Sequence, residues 1–282
     1  MLAAAMVLGP VAQAADVPDA GRPETMAYGS DPLQALDFWR ARDASHPAPL
    51  IVFVHGGGWS RGDKQMSGRS AQAAHFLSTG HAYASINYRL VPAATVEAEA
   101  ADVAASLKYL LDHAAQLGVD RRRVVLMGHS AGAHLSALVG TDERYLQAVG
   151  LKETDVAGVI LLDGAAYDVV SQVQQAGRFM AGTYREAFGT DPVRQRALSP
   201  TQQAAAPNAP RFLILHIQRD DAVRQSRALG DALRAAGTPA DVQGLPGEGM
   251  SGHREINRDL GEADYPGTAI VDRWLAGLPA PR

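Results

Sequence analysis

The chain has 282 residues, 46% of them hydrophobic and 20% charged, with a formal net charge of −4 and no cysteine. This is the composition of an ordinary folded domain, neither disordered nor collagen-like. It excludes disulfides, thiolate catalysis and cysteine-ligated zinc, and it offers no electrostatic basis for binding nucleic acid.

Residues 1–14, MLAAAMVLGPVAQA, form a small apolar run ending in Ala12-Gln13-Ala14. The run reads as the apolar region and A-x-A cleavage site of a secretory leader, although a basic start is missing. A periplasmic or secreted location is therefore expected, or a cytoplasmic one if this segment is not a leader. The run is too short to span a membrane, and stable membrane insertion is not expected. Residues 15–27 read as a polar tail, and 28–282 as one domain.

Within that domain YGSDPLQALDFWR (28–40) holds one or two short edge strands. PLIVFVH (49–55) is a continuous apolar run, as in a strand buried on both faces. SAQAAHFLSTG (70–80) reads as a helix stopped by Gly80, and HAYASINY (81–88) as the next strand. Residues 95–118 form a long amphipathic helix with Val96, Val103, Leu107, Leu110 and Leu111 on one face and Gly118 closing it. Arg121-Arg122-Arg123 reads as a solvated loop before the strand RVVLMG (123–128), which leads into a helix of small residues at 130–140. Strands follow at 156–164 and 211–217, then a helix at 223–237, a strand at 240–245, and helices at 253–261 and 267–278. Such alternation implies an α/β protein with a mostly parallel sheet and helices on both faces. The stretch of about 168–210 lacks a strong strand and reads as a small helical cap inserted between core elements.

Gly128-His129-Ser130-Ala131-Gly132 matches G-x-S-x-G between a strand and a helix. A serine on so tight a turn needs small neighbours two residues away on each side, and the turn exposes its hydroxyl. A serine attacking a carbonyl creates an oxyanion, which needs oriented N–H donors. Ala131 supplies one. His55-Gly56-Gly57-Gly58 follows a strand, and without side chains the amides of Gly57 and Gly58 can turn toward a substrate. His55 itself reads as an anchor for that loop.

In the fold that a strand–G-x-S-x-G–helix turn points to, the acid and then the base follow the serine in the chain. His134 lies one turn into the adjoining helix and His216 inside a strand, so His253, after a glycine-rich loop, is the expected base. The acid orienting it should follow the 211–217 strand. Asp220 is favoured over Asp221, and Asp163, one strand earlier, is a third candidate. Trp59 either walls the substrate pocket or braces the glycine loop. Tyr167, Phe179 and Met180 are candidates to line the pocket from the cap. Asp63-Lys64 reads as a solvated turn pair. No metal-binding pattern appears, and neither metal nor cofactor is expected.

These motifs resemble those of the hormone-sensitive-lipase-like carboxylesterases of the α/β-hydrolase fold. HGGGW (55–59), GHSAGAH (128–134) and DDAV (220–223) match that group's oxyanion, nucleophile and acid motifs. YGSDPLQALDFW, HGGGWSRGDK and LDGAAYD are also similar to the arylformamidase and small bacterial esterase branch. The resemblance implies a serine carboxylester hydrolase acting on small short-chain or aryl esters, with Ser130, Asp220 and His253 as its triad. Aryl formamide cleavage is the alternative, and a non-catalytic binding protein on the same fold a more distant one. One position departs from the pattern. Relatives carry H-G-x-x-D before the acid, whereas this chain has His216-Ile217-Gln218-Arg219-Asp220.

Overall fold

Successive side chains of a strand point to opposite faces, so a strand that is apolar at every position belongs between two layers. In the strand Ala48–Val54, Leu50, Val52 and Val54 join one core and Ile51 and Phe53 the other, all fully buried. Each such side chain contributes roughly 1.5–3 kcal/mol relative to exposure. The computed structural model describes residues 20–42, 45–69 and 71–279. The leader-like segment 1–14 lies outside the described residues.

Eight strands form one sheet: β1 (Glu24–Ala27), β2 (Ala35–Trp39), β3 (Ala48–Val54), β4 (Ala82–Ile86), β5 (Val119–His129), β6 (Gly158–Leu162), β7 (Phe212–His216) and β8 (Ala240–Gly244). Their order is β1-β2-β4-β3-β5-β6-β7-β8. β1 and β2 are antiparallel at one edge, and the other six strands are mutually parallel.

Two polar stretches expected as tail and loop are strand instead. β1 lies inside the stretch 15–27 read as a tail, because Glu24–Ala27 pairs with β2. β5 begins at Val119, so Arg121–Arg123 belong to a strand rather than a loop. A register shift lets Val119 pair with Ala48, while Arg122 and Arg123 bond to Asp120.

The helix Val96–Asp112 starts at Thr95, whose hydroxyl accepts the Ala98 N–H. Val103, Leu107 and Leu110 pack it onto one face of the sheet, beside helices Ala131–Thr141 and Asp220–Ala235. Helices Gln72–Ser78, Gly249–Arg258 and Pro266–Ala276 cover the other face. Between β6 and β7 the chain forms four short helices, Val169–Gln174, Ala181–Phe188, Pro192–Ala197 and Pro200–Gln203. Tyr184 and Phe188 from this segment pack on Trp59 beyond the end of β3. Parallel strands of this topology collect their functional loops at the carboxyl ends. Among the described residues no helix is long and apolar enough to cross a membrane.

Candidate active site

The turn after β5 is held by steric necessity. Ser130 has φ 56° and ψ −118°, a backbone conformation that costs a non-glycine residue roughly 1–3 kcal/mol. A Cβ on Gly128 would lie 2.2 Å from the Gly132 carbonyl oxygen, and one on Gly132 would lie 2.1 Å from that of Val54. Only glycine fits at either position, and the first turn of the helix Ala131–Thr141 can therefore press against the end of β3.

The Ser130 hydroxyl lies 3.0 Å from His253 Nε2, to which it donates. On the ring's other side, His253 Nδ1–H donates to Asp163 Oδ2 at 2.5 Å. The helix carrying His253 starts at Gly249, four residues earlier than expected, which places the imidazole in its second turn. His129, the variable residue of G-x-S-x-G, also bears on His253. Its Nε2–H donates to the His253 carbonyl oxygen at 2.8 Å, and the two rings lie 4.6 Å apart. Burial above all, then the neighbouring His253, pushes His129 down to about 3, so this ring stays neutral.

The acid expected at Asp220 is not the one brought to His253. The helix Asp220–Ala235 starts three residues earlier than its sequence pattern suggested, which puts Asp220 and Asp221 in its first turn. Carboxylates there meet the positive end of the helix dipole. Asp220 is exposed, and Asp221 accepts a long bond from Gln172 Nε2 and lies 3.8 Å from Arg219 Nη1. Neither bonds to His253. Asp163, directly after β6, fills the position instead. Its N–H donates to the Leu215 carbonyl, and its Oδ1 accepts the Ile217 N–H at 3.1 Å, so β7 fixes it from both sides. Arg219 Nη2 lies 3.1 Å from Asp163 Oδ2, the oxygen that also serves His253. Burial raises this carboxyl, but the His253 hydrogen bond and the Arg219 charge outweigh burial and hold it below its ordinary value. Asp163 is therefore ionised at neutral pH.

The glycine loop lies against the serine. A Cβ on Gly56 would sit 2.9 Å from Ser130 Cβ. Gly57 has φ 134°, and a side chain there would meet the Arg61 carbonyl at 1.9 Å. Among the described residues, no backbone acceptor takes the amides of Gly57 or Gly58. His55 anchors the loop, with Nδ1 bonded to the Gly56 carbonyl and its ring stacked on Tyr88 at 4.4 Å. Burial pushes it down to about 4, leaving it neutral.

Trp59 takes both roles considered for it. Its φ is 61°, and its indole N–H donates to His134 Nδ1 at 3.2 Å, tying the loop to the elbow helix. That bond requires the His134 hydrogen on Nε2, which donates to the Leu198 carbonyl and so reaches the segment between β6 and β7. Trp59 also lines the cavity over Ser130. Tyr167, considered as a lining residue, is fully buried in the core and does not reach the cavity wall, which Ala165 enters instead. Lys64 is no solvated turn residue either: it is buried and pairs with Asp37 at 2.8 Å.

The cavity holds about 570 Å³ and contains Ser130 and His253 among its walls, with Gly57, Gly58, Tyr184, Phe179, Met180 and Met250 around them. A larger cleft of about 750 Å³ lies at the opposite strand ends, near His81, Arg123 and Asp272, and contains none of these groups. Two contributors were not singled out from sequence, His129 and Arg219. His129 stood inside the recognised motif, and Arg219 occupied the departure from H-G-x-x-D.

The profile of the BD-FAE family matches residues 36–233. Esterase LipC of Mycobacterium tuberculosis is 32% identical over 235 residues, covering 79% of this chain and 58% of LipC. This chain spans about half the length of the curated relatives it matches. Esterase B from Lactobacillus rhamnosis superposes with a TM-score of 0.71 at 24% identity, over 90% of this chain and 83% of that one. A butyrate-bound esterase from Thermogutta terrifontis, Est2, superposes with a TM-score of 0.72 at 22% identity, over 96% and 100%.

Proposed function

The chain belongs to the BD-FAE family, and from that premise we propose that it is a serine carboxylester hydrolase acting on short-chain or aryl esters. Its fold is that of the α/β-hydrolases. The observation that carries the proposal is the relay from Ser130 Oγ through His253 to Asp163, at 3.0 and 2.5 Å, opening on a cavity at the carboxyl ends of parallel strands.

In this scheme Ser130 Oγ attacks the ester carbonyl while His253 Nε2 takes its proton. The ionised Asp163 keeps the hydrogen on Nδ1 and stabilises the imidazolium that forms. The amides of Gly57, Gly58 and Ala131 receive the oxyanion, a role supported by glycine amides beside Ser130 that no backbone acceptor takes among the described residues. His253 returns the proton to the departing alcohol. Water then attacks the acyl carbon while giving a proton to His253; the acyl–Oγ bond breaks, His253 returns the proton to Ser130 Oγ, and the acid leaves. Tyr184 and Met180 in the wall favour short acyl chains in a cavity of this size.

The test is labelling and turnover together. An aryl phosphonate should modify Ser130 stoichiometrically, Ser130→Ala should abolish hydrolysis of 4-nitrophenyl butyrate, and the butyrate should turn over faster than the laurate. Full activity in Ser130→Ala would overturn the scheme.

A further inference from the structure

The charge around Ser130 runs against the charge of the chain. Overall there are 30 Asp and Glu against 26 Lys and Arg. Yet the cavity is lined by Arg61, Arg219, Arg224 and Arg254, with Asp221 as the one lining carboxylate among the described residues and Asp163 buried behind His253. Arg219 lies between these two acids, at 3.1 Å from Asp163 and 3.8 Å from Asp221. Its charge is therefore used within the protein. Arg224 donates to the neutral Gln175 side chain, at 3.0 Å. Arg61, Arg224 and Arg254 have no carboxylate partner among the described residues. All three are exposed, so their guanidinium groups stand at the rim of the cavity, free to meet an incoming anion.

The reaction geometry decides which part of a substrate meets that field. The departing alcohol takes its proton from His253 Nε2 and must lie within hydrogen-bond reach of it. Arg254 follows His253 directly, and Met250 precedes it by three residues on the same helix, and both line the cavity. Arg224 enters from the helix after β7. The alcohol side is thus cationic. It also offers an apolar surface, since Met250 on the His253 helix is 49% exposed.

We infer that this site selects esters whose alcohol carries an anionic group, a carboxylate, sulfate or phosphate, on an apolar or aromatic body, with Arg254 and Arg224 as the specificity-determining residues. The inference rests on the esterase reading above. A guanidinium holds a carboxylate, or two oxygens of a sulfate or phosphate, through two parallel N–H donors, which suits such a group.

The experiment uses the full chain and two substrates with one acyl group, 4-(butyryloxy)benzoate and 4-(butyryloxy)benzamide. The readout is the ratio of their kcat/KM values, compared between wild type and variants so that intrinsic leaving-group reactivity cancels. Arg254→Gln should lower the benzoate-to-benzamide ratio about three- to tenfold, and Arg224→Gln with Arg254→Gln further. Arg254→Lys should retain most of the ratio. One molar salt, which shortens the Debye length to about 3 Å, should lower the wild-type ratio as well. Turnover of both esters with a ratio unmoved by substitution and salt would overturn the inference alone. So would a charge preference confined to the acyl side, seen with 4-nitrophenyl hemisuccinate against 4-nitrophenyl butyrate. Absence of turnover on both esters would overturn the esterase reading and this inference with it.

Discussion

Replacing Asp163 by asparagine tests the assignment of the acid most directly. Asp163 Oδ1 accepts the Ile217 N–H while Oδ2 accepts His253 Nδ1–H. In Asp163→Asn the amide oxygen stays with the Ile217 N–H, which leaves the NH2 facing His253. Two donors cannot face each other across 2.5 Å, so the imidazole must move its hydrogen to Nε2. That nitrogen then has no lone pair to receive the Ser130 proton. The comparable loss in serine hydrolases is about 10⁴ in kcat, or roughly 5.5 kcal/mol. Asp220→Asn, on an exposed carboxylate that touches neither His253 nor Ser130, should change kcat by less than about threefold. Initial rates on 4-nitrophenyl butyrate would be measured for both variants, with circular dichroism and melting curves to confirm folding. A folded Asp163→Asn enzyme retaining a tenth of its activity, or an equal collapse in Asp220→Asn, would refute the assignment.

Three further outcomes follow from the same contacts. The Arg219 charge, 3.1 Å from Asp163 Oδ2, helps hold that carboxyl below its ordinary value; Arg219→Gln should therefore move the acid-side loss of stability upward in pH, read as melting temperature against pH. A downward move would contradict this. Asp163 is held below its ordinary value, so its charge stabilises the fold above about pH 4, and this contribution fades as pH falls through the lowered folded value; melting temperatures between pH 5 and 3 should fall less steeply for Asp163→Asn than for wild type. Trp59→Phe keeps a ring against Phe188 but leaves His134 Nδ1 buried without its donor, which should cost about 1–3 kcal/mol in urea unfolding; an unchanged midpoint would show that the indole bond does not brace the loop.

Much of the site was legible because its constraints are local. The small residues at 128 and 132 are demanded by atoms within the elbow and the end of β3, the bare glycines at 56 and 57 by the approach of Ser130 and Arg61, and Gly58 by its positive φ of 62°. His253 could be named because the other histidines after Ser130 were better explained as packed, and both are buried. Strand positions were legible wherever both faces are apolar. They failed at Glu24–Ala27 and Val119–Arg123, where polar residues are held in strands only by their neighbours.

The acid was a different kind of problem. Asp163 and Asp220 follow adjacent parallel strands, β6 and β7, and both loops reach the same end of the sheet. Spacing along the chain favoured the second. The choice turns on how far each carboxylate lies from an imidazole 90 residues from Asp163 in sequence, and on the helix that begins at Asp220 itself. Likewise, a net charge of −4 says nothing of four arginines gathered around one cavity from three separate segments. The sequence by itself determined the nucleophile, the glycine loop and the α/β alternation, because each is imposed by neighbours a few residues away. Only the tertiary structure decided the acid and the charge of the pocket, because both depend on which distant loops share one edge of the sheet.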